Sequence, residues 1–200
     1  GGLVRYGRYV RCRFADGHGS SGASLGRNIK VLSSLILKMP GSCADYSTFV
    51  NCTFADGSGT ALYLENGNLN NTVFNTIVSA MGVADFTAKD GNGTSKNSVF
   101  DVQPFTSATD CHVGLAYPLF APLKGDFRLR AGTVAATAGD AALITQAFPN
   151  APAAVDLYRS LDGTPFAATG AIPVGCYAQT AVAAGGAVQF NGANTGVCSG

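Results

Sequence analysis

The chain is poor in most of the residues that perform chemistry. It has 2 histidines, no tryptophan and only 12% charged residues. Glu65 is its single glutamate and no paired Asp motif accompanies it, so the converging carboxylates of a glycoside hydrolase are missing. His18 and His112 stand alone, and Asp110-Cys-His112 has no nucleophile context. No Cys-x-x-Cys occurs, which removes the usual zinc signature, and neither a Walker nor a dinucleotide fingerprint is present. Residues 90–94 are rich in Gly and Asn but lack the regular acids of a calcium-binding nonapeptide array. No apolar run approaches the roughly 20 residues of a membrane span; the longest, Val31 to Leu37, suits a buried strand. A net charge of +1 gives no general pull towards nucleic acid or membrane. The expectation is no catalytic set, no metal and no cofactor.

What the chain has is repetition. Val10-Arg-Cys-Arg-Phe-Ala-Asp-Gly17 returns forty residues later as Val50-Asn-Cys-Thr-Phe-Ala-Asp-Gly57, and weaker copies surround the pair. Reading alternate residues as one strand face gives the triplets Val10/Cys12/Phe14, Val31/Ser33/Leu35, Val50/Cys52/Phe54, Asn70/Thr72/Phe74 and Lys96/Ser98/Phe100. Their spacings are 21, 19, 20 and 26. Small side chains fill the middle column and large apolar ones the third. Such columns arise when each repeat is one coil and coils stack about 4.8 Å apart. Gly, Asn and Asp fill the gaps, including Asp16-Gly17, Asp56-Gly57 and Asn66-Gly67-Asn68, as corners with positive φ require. Ala61–Glu65 fits a further strand between the third and fourth triplets. The 26 glycines and low charge suit this reading and argue against a helical bundle. An antiparallel sandwich also uses short strands and Gly-rich turns, but it does not require like residues every twenty or so positions.

In this register Cys12 and Cys52 share an inward column two coils apart, about 9.6 Å by strand spacing. That exceeds the roughly 7 Å limit on Cα separation for a disulfide, so both read as buried core thiols. Cys43, Cys111, Cys176 and Cys198 leave three pairings open. The opening Gly1-Gly-Leu-Val is neither a leader nor a capping element. A stacked array needs its ends covered, so the chain is expected to belong to a longer protein.

After Phe100 the texture changes. Tyr117-Pro-Leu-Phe120 leads to Gly125-Asp-Phe-Arg-Leu-Arg130, then Leu161-Asp-Gly-Thr-Pro165 and Gly170-Ala-Ile-Pro-Val-Gly-Cys-Tyr177. With the Asn-Cys-Thr-Phe and Asn-Thr-Ile-Val strands, this order resembles the secreted and cell-surface right-handed parallel β-helix proteins of bacteria, in the pectin-lyase-like superfamily. Matches to their last coil are Pro118, Phe120, Asp126, Phe127, Leu129, Gly132, Gly139, Asp162, Gly163, Pro165, Gly175 and Tyr177. Thr133–Thr137, Phe166 and Ala178 depart from it. The resemblance implies an all-β fold, a right-handed parallel β-helix (β-solenoid) with a loop-rich C-terminal cap. It divides the chain into coils at 1–103, the last coil and cap at 104–178, and a linker or following module at 179–200. Within the cap, Asp126–Arg130 alternates as a half-buried strand, and a short helix is expected after Asp140.

Lyases of this superfamily use calcium-binding carboxylates with a basic residue, for which Asp45, Asp56, Glu65, Asp85, Lys89 and Asp90 are the candidates. The plainer reading of the repeated Asp-Gly pairs is that they turn corners. The most suggestive surface is Arg5, Tyr6, Arg8, Tyr9, Arg11 and Arg13, since guanidinium groups beside aromatic faces bind carboxylated or sulfated sugars. A solvated edge is the plain alternative. The expected function is a non-catalytic, secreted or cell-surface module for scaffolding, adhesion or contact with an acidic polysaccharide or other cell-surface glycan. It would join neighbouring domains of a longer chain, without nucleic acid and without membrane insertion. A remnant of a polysaccharide lyase and a trimeric phage fibre or spike domain are the alternatives.

Overall fold

The computed structural model describes residues 6–15, 23–37, 42–57, 62–64, 71–81, 86–88, 93–101, 107–114, 118–152 and 155–181. Between residues 8 and 113 a strand unit recurs. Strands β1 (Arg8–Val10) and β2 (Arg13–Phe14) come first, followed by β3 (Ala23–Arg27), β4 (Lys30–Leu32) and β5 (Leu35–Leu37). The next repeat holds β6 (Ser42–Asp45), β7 (Thr48–Val50) and β8 (Thr53–Gly57), and the one after it β9 (Leu62–Leu64), β10 (Asn71–Phe74) and β11 (Ile77–Met81). Then come β12 (Phe86–Ala88), β13 (Gly93–Lys96), β14 (Val99–Phe100), β15 (Ser107–Thr109) and β16 (His112–Val113). Corresponding strands pair with one another in parallel. They form a six-stranded sheet β1-β4-β7-β10-β13-β15, a second six-stranded sheet β2-β5-β8-β11-β14-β16, and a four-stranded sheet β3-β6-β9-β12. The protein is therefore mostly β, with three parallel sheets. Parallel neighbours need a crossover between them; from β1 to β14 the described crossovers pass through both other sheets, while those leading to β15 and β16 pass through one.

The register corrects the sequence reading. Val10 stands beside Leu32, then Val50, Phe74, Lys96 and Thr109. The second triplet is thus Leu32/Ser34/Ile36 and the fourth Phe74/Thr76/Val78, giving spacings of 22, 18, 24, 22 and 13. The triplets also do not lie on one face. Arg11, Ser33, Asn51, Asn75, Asn97 and Asp110 each have φ between 47° and 53°, a left-handed corner that joins the two six-stranded sheets. A left-handed residue breaks the period-2 alternation, so the residue before it and the residue after it face opposite ways. Tyr9, Val31, Phe49 and Val73 pack inward with Cys52, Phe14, Ile36, Phe54, Val78 and Phe100. Val10, Leu32, Val50 and Phe74 face outward instead.

The small middle column has a reason beyond packing. Ser34, Thr76 and Ser98 each donate a hydroxyl hydrogen bond to the carbonyl two residues earlier, at 2.8–2.9 Å. The same oxygens accept from the backbone N–H of Cys12, Cys52 and Thr76 in the preceding repeat. The corner's polar groups are thereby satisfied on both sides by a short hydroxyl side chain. Cys12 and Cys52 sit in this column with Ser34 between them, and both are free thiols.

The segment after the repeats runs along their outside. It comprises β17 (Leu119–Ala121), β18 (Asp126–Arg130), β19 (Gly139–Asp140), α1 (Ala142–Ala147), β20 (Ala171–Ile172) and β21 (Thr180–Ala181). Both α1 and the alternating β18, with Phe127 and Leu129 buried, match expectation. The location differs from the expected cap. Leu143, Ile144, Ala147, Phe148, Leu157, Phe166 and Ile172 cover the outward face of the first sheet at Leu32, Val50 and Phe74. Leu119, Phe127, Leu129, Val174 and Cys176 cover the second at Leu35, Ile77 and Val99. Each large apolar side chain buried this way contributes about 1.5–3 kcal/mol. The outward residues of these strands are apolar because the segment lies on them.

Two glycines fix the seat. A Cβ on Gly139 would lie 2.8 Å from the Ile172 carbonyl oxygen and 3.3 Å from Asn75 Oδ1. One on Gly175 would lie 2.7 Å from Thr53 Oγ1. Between them the Asn75 amide donates to the Asp140 carbonyl (2.8 Å) and accepts from its N–H (2.9 Å), as a neighbouring strand would.

Candidate functional site

The Arg and Tyr residues near the N-terminal edge do not form one surface. Arg5 lies outside the described residues. Arg8 is exposed on the outward side of β1, in register with Lys30. Tyr9 is half-buried: it turns inward, packs edge-on to Phe14 at 5.4 Å between ring centroids and lies against the core, away from Arg8. Arg11 occupies the left-handed corner and donates to the Asp156 carbonyl at 3.0 Å, tying the corner to the outer segment. Arg13 is exposed on the second sheet, beside Leu35. Alternation across the corner sends these neighbours in different directions, which a plain strand pattern does not anticipate.

Tyr6 remains, with different company. A second set of left-handed corners, Asn28 (φ 54) and Tyr46 (φ 49), joins the four-stranded sheet to the first six-stranded sheet, and Tyr6 (φ 59) takes the same conformation at the equivalent place ahead of β1. Asn suits this conformation because its short polar side chain bonds locally, whereas a bulky residue there is an outlier costing about 1–2 kcal/mol. Burial offsets little of this, since Tyr6 is 80% exposed and Tyr46 39%. The Tyr6 N–H donates to the Arg27 carbonyl at 3.0 Å, which holds the ring at the edge of the stack. Arg27 follows a register shift in β3 between Ser24 and Gly26, where Gly26 takes φ 138. A bulge re-aims the side chain after it, and the Arg27 guanidinium sits 5.2 Å from the Tyr46 ring centroid. Tyr6, Arg27, Asn28 and Tyr46 line an open recess of about 390 Å³.

Sequence reasoning missed Arg27, Asn28 and Tyr46, although a signal was present. Tyr6-Gly-Arg-Tyr-Val10 and Tyr46-Ser-Thr-Phe-Val50 extend the forty-residue echo upstream by four residues. Asn28-Ile-Lys-Val-Leu32 is the intermediate copy.

Other ionisable groups serve the fold. Asp126 accepts two side-chain hydrogen bonds from Arg128, at 3.0 and 2.6 Å, and this partner holds its carboxyl below the usual range. Asp156 pairs with Arg159 at 2.5 Å and is lowered in the same way. Partial burial pulls the Asp162 carboxyl up, but hydrogen bonds from Ser160 and Thr164 outweigh it, and the net shift is downward. Burial raises the Cys52 thiol strongly and pushes Cys176 up to about 12, so neither supplies a thiolate nucleophile near neutrality. Among the described residues no three His, Cys, Asp or Glu side chains are grouped to hold a metal ion, and no helix is long and apolar enough to cross a membrane. Of the lyase candidates, Asp45 and Asp56 fall on β6 and β8, while Glu65, Asp85, Lys89 and Asp90 lie outside the described residues, as do Asp16 and His18.

Comparison with protein-family models, curated proteins and solved structures gave no match to this chain. The reading of the recess therefore rests on its own geometry.

Proposed function

We infer that the three parallel sheets are the walls of a right-handed parallel β-helix, and that the protein is a non-catalytic, secreted or cell-surface module that contacts glycans. The in-register columns and the cross-sheet crossovers support the fold. The observation that carries the function is the pair of exposed tyrosines held in left-handed corners beside Arg27. Strained backbone with an exposed aromatic side chain is characteristic of ligand-gripping positions. A sugar presents C–H faces that stack on the Tyr rings, while Arg27 donates paired hydrogen bonds to a carboxylate or sulfate. Tyr6 and Tyr46 stand two repeats apart, roughly 10 Å by strand spacing, which suits a chain of sugars better than a single one.

The test is titration calorimetry with polyuronate and sulfated polysaccharide fragments, alongside a neutral polymer as control. Binding of the acidic fragments, weakened roughly tenfold or more by Tyr6→Ala or Arg27→Ala, is expected, since exposed anchor residues dominate such contacts. No binding by the parent protein overturns the glycan reading. Release of unsaturated products from polyuronate, seen by ultraviolet absorbance, overturns the non-catalytic part of it.

A further inference from the structure

The two six-stranded sheets each end on a strand paired on one side only among the described residues: β1 and β2 at one end, β15 and β16 at the other. Ser107, Ala108, Thr109 and Val113 are exposed, as are Arg8 and Arg13. Unpaired parallel edges are templates for another strand. The column of left-handed corners adds direction. Its interior members, Ser33, Asn51, Asn75 and Asn97, are neutral, while Arg11 occupies one end and Asp110 the other.

We propose that the β15–β16 edge of one copy pairs with the β1–β2 edge of a second copy, head to tail, continuing both sheets across the junction. Every internal junction supplies the template. The corner N–H donates to the carbonyl of the last residue of the next strand, as Asn75 does to Lys96 and Asn97 to Thr109. Two residues further on, the N–H of the following strand returns the bond, as His112 does to Ser98 and Leu35 to Cys12. Carried over the edge, the Asp110 N–H donates to the Val10 carbonyl of the second copy, and its Arg13 N–H donates to the Cys111 carbonyl. The same register sets Phe14 against Val113 and the Asp110 carboxylate beside Arg11, whose guanidinium spends one of its five N–H donors on the Asp156 carbonyl of its own chain. Opposite charges at the two ends favour this pairing and disfavour head-to-head contact, which would oppose Arg11 to Arg11.

The register also supplies a reporter. Cys12 and Cys111 are free thiols in the same column. Within one chain they lie five strand spacings apart, roughly 24 Å, far outside disulfide reach. Across the proposed junction they are one spacing apart, about 4.8 Å, which lies inside it. Diamide oxidises two thiols to a disulfide and is itself reduced to the hydrazine by the two hydrogens. The experiment treats the 200-residue protein with diamide across a concentration series and maps cross-linked peptides by mass spectrometry, with sedimentation of the untreated protein in parallel. Expected are intermolecular Cys12–Cys111 disulfides, abolished by Cys111→Ser, and open-ended assembly that grows with concentration and recedes with salt. Arg11→Asp raises the dissociation constant roughly tenfold or more, and adding Asp110→Arg restores assembly, because the reversed pair is again complementary. A monomer at every concentration overturns the proposal. So do Cys12–Cys12 cross-links, a closed trimer of fixed mass, or assembly without the Cys12–Cys111 disulfide.

Discussion

Gly175 gives a demanding test of how the outer segment is seated. Its φ of +87° disfavours any side chain, and a Cβ would meet Thr53 Oγ1 at 2.7 Å and Ile77 Cγ2 at 3.1 Å. The first contact matters most, because Thr53 Oγ1 accepts the buried N–H of Cys176 at 3.1 Å. Gly175→Ala therefore carries two separable costs. The backbone term is about 1–2 kcal/mol for a left-handed L-residue. Displacing the Thr53 hydroxyl leaves a buried N–H unpaired, a further 1–3 kcal/mol or so. The expected loss is about 2–5 kcal/mol.

Gly163 isolates the first term. Its φ is +85°, nearly the same, but none of the described residues lies within 4 Å of where its Cβ would stand. Gly163→Ala should lose only the backbone cost. Urea unfolding followed by far-ultraviolet circular dichroism measures both variants. Tyrosine fluorescence gives a second probe, as the chain has 7 tyrosines and no tryptophan. A gap of about 1–3 kcal/mol between the two variants is expected. Equal losses would show that the segment does not press on the Thr53 corner, and the outer packing described above would be wrong.

The sequence made the repeat legible but not its phase. Val31-Leu-Ser-Ser-Leu-Ile-Leu37 satisfies an apolar-small-apolar frame in two registers one residue apart, so pattern alone does not choose. What chooses is the left-handed corner, and Ser33 carries it without the Asn that marks the equivalent positions at 51, 75 and 97. The strand at Asp126–Arg130 was readable because both of its faces stay distinct, one packed and one wet. The side-on path of the outer segment was not readable, because outward Leu32, Val50 and Phe74 look like core residues of the strands themselves. They are core residues, of a second layer. The candidate site failed for the same reason that the register did. Tyr6 and Tyr9 are three residues apart on a segment that turns between them, so one ring reaches solvent and the other the interior.

Three further outcomes follow from the same geometry. Asn75→Gly should cost about 2–4 kcal/mol, since both of its side-chain bonds to the Asp140 backbone are lost in a buried setting. Asn51 is equally buried but its amide has no hydrogen-bond partner among the described residues, so Asn51→Gly should cost at least about 1 kcal/mol less in the same urea assay. An equal cost for the two refutes the assigned role of Asn75. The last concerns alkali. Burial raises Cys176 from 9.0 to about 12 and Tyr177 from 10.0 to about 12, and it raises Cys52 as well. The folded chain thus holds these protons more tightly than the unfolded chain. Their contribution to stability is complete below pH 9 and is lost as pH climbs from 9 towards 12. The midpoint of thermal unfolding should hold between pH 7 and 8.5 and then fall, and Cys176→Ala should flatten part of the fall. A midpoint that stays level to pH 11 would mean that the thiol already meets solvent, and that the seam between the outer segment and the second sheet is open.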